Sequence, residues 1–101
     1  MHLHGFNFYY VLAPGFANYN PATDTQKFSL VNHQERNTLG VPVGGWAVIR
    51  FKANDPDRGV WFLHCHLDVH MSWGLGTAFL VDNSGMPEST LPPPPTDYPQ
   101  C

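Results

Sequence analysis

Short apolar and aromatic runs, separated by segments rich in turn-forming residues, recur along the whole chain. Short runs that contain β-branched and aromatic side chains are typical of β-strands. The pattern predicts strands over residues 2–4 continuing through 6–12, then 28–31, 46–52, 60–66 and 77–81. Residues 14–24, rich in Gly, Asn and Pro, are expected to form a long loop. Residues 68–73 are expected to form one helical turn closed by Gly74, and the prolines at 92–95 an extended polyproline II segment.

Strands at these short spacings predict an all-β fold, an antiparallel Greek-key β-sandwich. The 101 residues allow at most one domain with a modest hydrophobic core. Charged residues make up only 13% of the chain and the net charge is −3, so no basic surface for nucleic acid is indicated. No apolar run is long enough to predict a membrane-spanning helix.

The most distinctive chemistry lies in the seven-residue run His64-Cys65-His66-Leu67-Asp68-Val69-His70. Alternate side chains of a strand point to opposite faces, so His64 and His66 are expected on one face and Cys65 on the other. His70 follows the strand, where a turn or helical start can fold it back beside the sulfur. One strand would therefore serve two sites, joined through the backbone of Cys65.

A second pair of histidines shows the same period of two. His2 and His4 flank Leu3 and are expected on one face of the first strand. On their own, these two side chains fit an incidental surface pair as well as a metal site. His33 lies outside both clusters, and we interpret it as a polar surface or packing residue.

Spacing alone leaves three interpretations of the histidine clusters: copper, zinc and no metal. A thiolate with imidazoles and a weak or absent axial ligand is the chemistry of a blue-copper centre. Zinc also binds Cys and His, but structural zinc sites usually contain at least two cysteines, and no Cys-x-x-Cys motif occurs here. A buried cysteine can also be an inert small apolar residue. Several imidazoles beside one thiol favour copper.

Residues 64–75, HCHLDVHMSWGL, resemble the C-terminal copper signature of the multicopper oxidases, in the form found in plant laccases. The likeness also covers residues 2–8, 35–38, 44–46 and 59–62, and the proline-rich tail that ends in Cys101. This resemblance implies a cupredoxin-like fold. It implies four copper ions in each complete enzyme: one type 1, one type 2 and a binuclear type 3 pair.

Ligand roles follow from the resemblance residue by residue. It implies that Cys65 and His70 bind the type 1 copper, and that Leu75 occupies the axial position without bonding the metal. His2 would bind the type 2 copper. The type 3 ions would be bound by the remaining three imidazoles, one ion by His4 and His64 and the other by His66. Electrons would pass from the type 1 site through Cys65 to its neighbours His64 and His66.

Two further residues lie between the implied ligands. Trp73 falls between His70 and Leu75, and either packs in the core or forms a wall of the type 1 site. Asp68 is either a solvated charge or a hydrogen-bond partner of an imidazole.

The resemblance also implies what this stretch does not contain. The family motif places a His-Pro pair before the first His-x-His pair, and its His is the remaining type 1 ligand. The family carries a second set of His-x-His pairs in an N-terminal domain. We therefore expect residues 1–86 to be a partial C-terminal cupredoxin domain without its N-terminal strands, and residues 87–101 a proline-rich tail. Cys101 would form a disulfide with the missing N-terminal region, and the isolated chain would be inactive.

The predicted function is that of a laccase, which oxidises phenols of the monolignol type by one-electron steps and reduces dioxygen to water. The plant-type resemblance further implies a role with lignin and secretion to the apoplast. Ascorbate oxidase has the same architecture but carries Met where this chain has Leu75. An electron-transfer cupredoxin with one copper has no use for His2, His4, His64 and His66 as a set. A copper-free structural or binding role is the remaining alternative for the isolated chain.

Overall fold

The computed structural model describes residues 1–54, 57–82, 85, 87, 90 and 92–99. Within these residues the chain is mostly β-structure, and two short α-helices and one 3-10 turn complete it. The strands are β1 (His2–Leu3), β2 (Phe8–Phe16), β3 (Glu35–Arg36), β4 (Gly45–Arg50), β5 (Gly59–His64) and β6 (Gly76–Val81). The helices are α1 (Pro21–Asp24) and α2 (Asp68–Ser72), and the 3-10 turn is Thr25–Lys27.

The strands form two antiparallel sheets of three strands each, in the orders β1-β5-β6 and β3-β2-β4. The chain passes from one sheet to the other between β1 and β2, and again between β4 and β5. In the first sheet, β5 pairs with β6 from Gly59↔Val81 to His64↔Gly76. On its other side β5 pairs with β1, which sets His2 opposite His64. The prediction of an all-β, cupredoxin-like fold is confirmed.

The hydrophobic core lies between the two sheets. Leu3, Phe6 and Phe8 are its buried centre. Partly buried residues from both sheets pack around them: Leu39, Ile49, Phe51, Trp61, Leu63 and Val81. The Trp61 ring contacts the edge of Phe6 at a centroid distance of 5.2 Å, and its Nε1 donates to the Asp57 carbonyl at 2.6 Å. The segment that follows β1 is thus anchored directly in the core.

Three predicted elements agree closely with the structure. The strand expected over 46–52 is β4, and the strand expected over 77–81 is β6. The helical turn expected over 68–73 is α2, which is followed by Gly74 at a φ of 89°. The strand expected over 60–66 is β5, although it ends at His64 rather than at His66.

The prediction for the N-terminal half needs correction. Residues 2–12 do not form one continuous strand, because the chain turns after β1 and Gly5 adopts a φ of 73°. The next strand continues to Phe16, so the expected loop over 14–24 begins late. Its second half forms α1, because the side chain of Asn20 accepts from the Ala22 N–H and Pro21 suits a first helical turn.

Residues 28–31 do not form the expected strand, and the short strand β3 occurs later. Leu30 and Val31 are 64% and 73% exposed, so these apolar side chains do not pack against a buried surface. Strand propensity reflects packing on a half-buried surface, and without that packing the local preference is too weak. Within the described residues, no helix has the length and apolar character needed to cross a membrane.

Candidate metal centre

Pairing of β1 with β5 assembles four imidazoles on one side of the first sheet. The register places His2 opposite His64, and the His4 N–H extends the pairing by donating to the Phe62 carbonyl at 2.9 Å. Ring-centroid distances are 4.9 Å for His2–His4, 5.7 Å for His2–His64, 5.5 Å for His2–His66, 5.0 Å for His4–His64 and 5.8 Å for His64–His66. We call these four residues the imidazole cluster.

The closest nitrogens of the imidazole cluster belong to His4 and His64. Their Nε2 atoms are 2.9 Å apart and share a hydrogen bond, in which the Nε2–H of His4 donates because Nδ1 of His64 faces the Cys65 carbonyl; the two nitrogens are also close enough to reach one metal ion. His64 is buried, and the ring of Phe62 stacks on it at 4.7 Å with an interplanar angle of 18°. The pair is therefore held in place before any metal binds.

Hydrogen bonds determine which nitrogen of His2 and of His64 can bind a metal. A backbone carbonyl only accepts, so an imidazole nitrogen facing one must carry the proton. Nδ1 of His64 donates to the Cys65 carbonyl at 2.9 Å, and Nδ1 of His2 donates to the Asn37 carbonyl at 2.9 Å. In both residues Nε2 is left with its lone pair, as a metal ligand requires.

The electrostatics of the imidazole cluster favour an uncharged ring at His4. The pKa of His4 is lowered from its ordinary value by desolvation and by the three neighbouring imidazoles. A lowered pKa keeps His4 neutral at neutral pH. Only a neutral ring can bind a metal, so the lowered pKa of His4 favours the charge state that metal binding requires of this residue.

A cavity of about 470 Å³ opens beside the imidazole cluster. Its lining consists of the four cluster histidines together with Phe62, Asp68 and Met71. Asp68 thus faces the same space as the imidazoles. Among the hydrogen bonds found in the described residues, none joins Asp68 to an imidazole, so of its two interpretations the structure does not support the hydrogen bond to a histidine.

Cys65 presents its sulfur to a different residue. Its Sγ lies 3.5 Å from Nδ1 of His70, the donor pair expected for a second metal site. Backbone hydrogen bonds join three residues around this pair: the Cys65 N–H donates to the Leu75 carbonyl at 2.9 Å, and the Leu75 N–H donates to the His70 carbonyl at 3.0 Å. The helix α2 places His70 in this position. Backbone hydrogen bonds connect Leu75 to both Cys65 and His70.

Trp73 packs against the second donor pair. Its ring stacks on the His70 ring at a centroid distance of 5.9 Å and an interplanar angle of 27°. The indole is 79% exposed. Of the two interpretations of Trp73, a core residue or a wall beside His70, the exposure and the stacking favour the wall.

His33 lies apart from both donor groups, as the sequence analysis expects. Its Nε2 accepts from Arg50 at 2.9 Å, and its ring contacts Tyr9 at a centroid distance of 4.8 Å. Asn37 and Thr38 were not predicted from the sequence to be partners of His2. In the structure an oxygen of each lies 2.9 Å from Nδ1 of His2. Both residues are in a segment that resembles the multicopper oxidases, but their contact with His2 spans 35 and 36 residues and has no local signal.

The donor set fits copper but does not complete a site by itself. Imidazole nitrogens with free lone pairs and a thiol beside an imidazole are ligands that copper prefers. Within the described residues, no group of three His, Cys, Asp or Glu side chains converges on one ion position.

Comparison with known proteins agrees with this chemistry. A family model described as multicopper oxidase matches residues 1–85. Among curated proteins, Laccase-24 of Oryza sativa subsp. japonica is 63% identical and Laccase-7 of Arabidopsis thaliana is 61% identical, both over 101 residues and 100% of this chain. The chain spans only 17% of the length of either relative. With a family model that matches most of its length and a donor set that suits copper, this chain belongs to the multicopper oxidase family.

Proposed function

We propose that this chain contributes copper ligands to a laccase, an oxidase that removes single electrons from phenols and reduces dioxygen to water. The observation that carries the proposal is the position of Cys65 between two donor groups. Its sulfur faces His70, and its carbonyl accepts a hydrogen bond from His64, a member of the imidazole cluster. The sulfur of Cys65 thus contacts one proposed metal ligand, and its backbone is bonded to a member of the imidazole cluster. This arrangement suits an enzyme that moves electrons between two metal sites.

The proposed copper assignment uses each donor group once. Cys65 and His70 hold the type 1 copper, with Leu75 beside it as a residue that cannot bond the metal. The imidazole cluster holds the other copper ions, the type 2 ion at His2 and the type 3 ions at His4, His64 and His66. When bound, copper supplies the one-electron chemistry that phenol oxidation and dioxygen reduction require.

The chain itself supplies the connection between the two sites. Cys65 is linked to His64 and His66 through single peptide units, and the hydrogen bond from Nδ1 of His64 to its carbonyl adds a second short connection. The 2.9 Å separation of the His4 and His64 Nε2 atoms supports the assignment of these two residues to one ion. Since no three side chains converge among the described residues, the remaining ligands belong to other parts of a longer protein, in the proposed assignment.

The alternatives are less consistent with these contacts. A single-copper electron-transfer protein needs only one group of metal ligands, such as Cys65 and His70. The imidazole cluster is a second group, in which the ring centroids of contacting histidines are 4.9 to 5.8 Å apart. Ascorbate oxidase would carry a methionine at the position of Leu75. The leucine side chain has no donor atom, which favours the laccase.

The resemblance of the sequence to plant laccases leads to a more specific proposal for the whole protein. Its substrates would be phenols of the monolignol type, its role the oxidation of lignin precursors, and its location the apoplast after secretion. In an oxidising compartment, Cys101 would form a disulfide with a cysteine of the N-terminal region. Cys101 lies outside the described residues, and the division at residue 86 stays a prediction.

The direct test is phenol-dependent oxygen uptake by the complete, copper-loaded protein. We expect steady consumption of dioxygen with 2,6-dimethoxyphenol as the donor and little with ascorbate. The 101-residue chain alone, loaded with copper under the same conditions, should consume none, because each ion lacks ligands. Uptake with ascorbate but not with the phenol would support ascorbate oxidase. A blue protein that consumes no oxygen with either donor would support an electron-transfer role.

Leu75→Met tests the proposed axial position. A methionine sulfur near the copper would add a weak ligand and stabilise the oxidised ion, so the reduction potential of the blue copper should fall. A redox titration of the complete protein, followed by its blue absorption, measures this change. Leu80→Met is the matched control, because Leu80 lies on β6 and is 70% exposed. An unchanged or raised potential in Leu75→Met would contradict the axial assignment.

A further inference from the structure

His2 is held by two residues that no part of the proposed copper assignment uses. Its Nδ1 lies 2.9 Å from the Asn37 carbonyl oxygen and 2.9 Å from Oγ1 of Thr38. Thr38 forms an isolated antiparallel bridge with His2, so its hydroxyl is brought to the imidazole by backbone pairing. The Leu3 N–H also donates to the Asn37 carbonyl, at 3.1 Å. This contact is therefore part of the sheet edge rather than a chance approach of two surface side chains.

The direction of these hydrogen bonds is determined by the partners. The Thr38 hydroxyl has one proton and donates it to Oδ1 of Asn37 at 3.0 Å. Both oxygens that face Nδ1 of His2 are therefore acceptors. A lone pair on Nδ1 would face two oxygen lone pairs, so the proton must reside on Nδ1. The other ring nitrogen, Nε2, then carries the lone pair.

Packing alone does not hold the His2 ring. The ring borders two open spaces, the cavity of the imidazole cluster and a second one of about 270 Å³. The second cavity is lined by His2 together with Leu3, Gly5, Phe6, Asn7 and Asn37. On the side of the imidazole cluster the ring contacts His4, His64 and His66 at centroid distances of 4.9, 5.7 and 5.5 Å, whereas its Nδ1 edge faces Asn37 and Thr38. Hydrogen bonds to Nδ1 are the restraint on that edge.

We propose that Thr38, together with the Asn37 carbonyl, is a positioning residue that holds His2 in its Nδ1–H form and keeps Nε2 free for a metal ion. The inference rests on the proposed function of the imidazole cluster. Thr38 contacts neither the metal nor a substrate and acts only through His2. Partners of this kind typically change metal affinity by about 10–100-fold when they are removed.

The test compares three variants of the complete protein. Thr38→Val keeps the β-branched shape but loses the hydroxyl, and Thr38→Ser keeps the hydroxyl. Thr25→Val is the matched control, because the Thr25 hydroxyl also bonds a carbonyl, that of Pro21 at 2.8 Å, but outside the imidazole cluster. Two measurements are made: copper loss to a chelator, resolved by electron paramagnetic resonance, and the protonated nitrogen of His2 in the copper-free protein, from ¹⁵N-histidine NMR.

The expected result is specific to His2. Thr38→Val should weaken binding of the copper at His2 by about 10-fold or more, and, because the Asn37 carbonyl is then the one remaining acceptor at Nδ1, its His2 should show a smaller share of the Nδ1–H form than the parent protein. Thr38→Ser and Thr25→Val should match the parent protein in both measurements. The blue absorption assigned to Cys65 should remain in all variants.

Two outcomes would overturn different statements. A Thr38→Val protein with the parent copper affinity and a fully Nδ1-protonated His2 would refute the role of Thr38. A parent protein that binds no copper at the imidazole cluster would refute the proposed function instead. The NMR measurement needs no metal, so it would still decide whether Thr38 sets the protonated nitrogen of His2.

Discussion

Replacing Cys65 with serine is expected to abolish the intense blue absorption of the complete, copper-loaded protein, and phenol oxidation with it. The blue band arises from charge transfer between a thiolate and copper, and a serine oxygen cannot supply it. In the structure the sulfur has the position this requires, 3.5 Å from Nδ1 of His70. Serine would leave the backbone of the strand end unchanged, so the loss should be chemical rather than structural.

Cys101→Ser is the matched control for this prediction, because it makes the same substitution at the other cysteine. The control removes the proposed disulfide but no proposed copper ligand, so it should stay blue and should oxidise phenols, although its stability should be lower. Absorption spectroscopy, oxygen uptake and total copper content measured on both variants separate loss of colour from loss of metal. A Cys65→Ser protein that remains blue would refute the assignment of Cys65 as a copper ligand.

Gly5→Ala is expected to destabilise the fold and to disrupt the imidazole cluster together. A Cβ atom at Gly5 would overlap the six-membered ring of Trp61, with Cη2 at 2.7 Å and two other ring carbons closer still. The indole cannot move aside easily, because its Nε1 is bonded to the Asp57 carbonyl and its ring packs on Phe6. The peptide that carries His4 would therefore have to shift away from His64.

Gly44→Ala separates this overlap from backbone strain. Gly44 has a φ of 64°, close to the 73° of Gly5, but a Cβ there would meet nothing within 4 Å. Left-handed backbone strain alone should cost Gly44→Ala about 1–2 kcal/mol of unfolding free energy. Gly5→Ala should lose a further 1–3 kcal/mol or so from overpacking.

Denaturant unfolding and copper content of the complete protein test this prediction. Gly5→Ala should unfold at lower denaturant than Gly44→Ala and should lose copper from the imidazole cluster. Gly44→Ala should keep its copper, because its backbone strain lies in the turn before β4. Equal stability and equal copper content in the two variants would show that the contact between Gly5 and Trp61 does not constrain the site.

The residues proposed as donors could be located in the sequence, because their clustering depends on local spacing. Cys65 with histidines on either side indicates two sites served by one strand end, and the structure places the His64 and His66 rings 5.8 Å apart while the sulfur faces His70. The helical turn that brings His70 back also follows from nearby residues. Such features need only the strand period of two and the helical rise, which a short segment determines by itself.

The break between β1 and β2 could not be predicted in the same way. Apolar and aromatic residues continue from Leu3 to Leu12, so the local pattern favours one strand. The chain turns at Gly5, where the positive φ and the Trp61 ring beside it leave no room for a side chain. Trp61 is far away in sequence, and only the packed core brings it to this position.

The sequence by itself determined which residues are candidates for the chemistry: two His-x-His pairs, the cysteine inside one of them, and His70 five residues after that cysteine. Only the tertiary structure decided how they meet, through the register that sets His2 opposite His64 and the 2.9 Å approach of His4 and His64 across 60 residues. It also decided that Thr38 supports His2. The physical reason is that strand pairing and core packing are long-range contacts, whose partners leave no periodic signal in either segment.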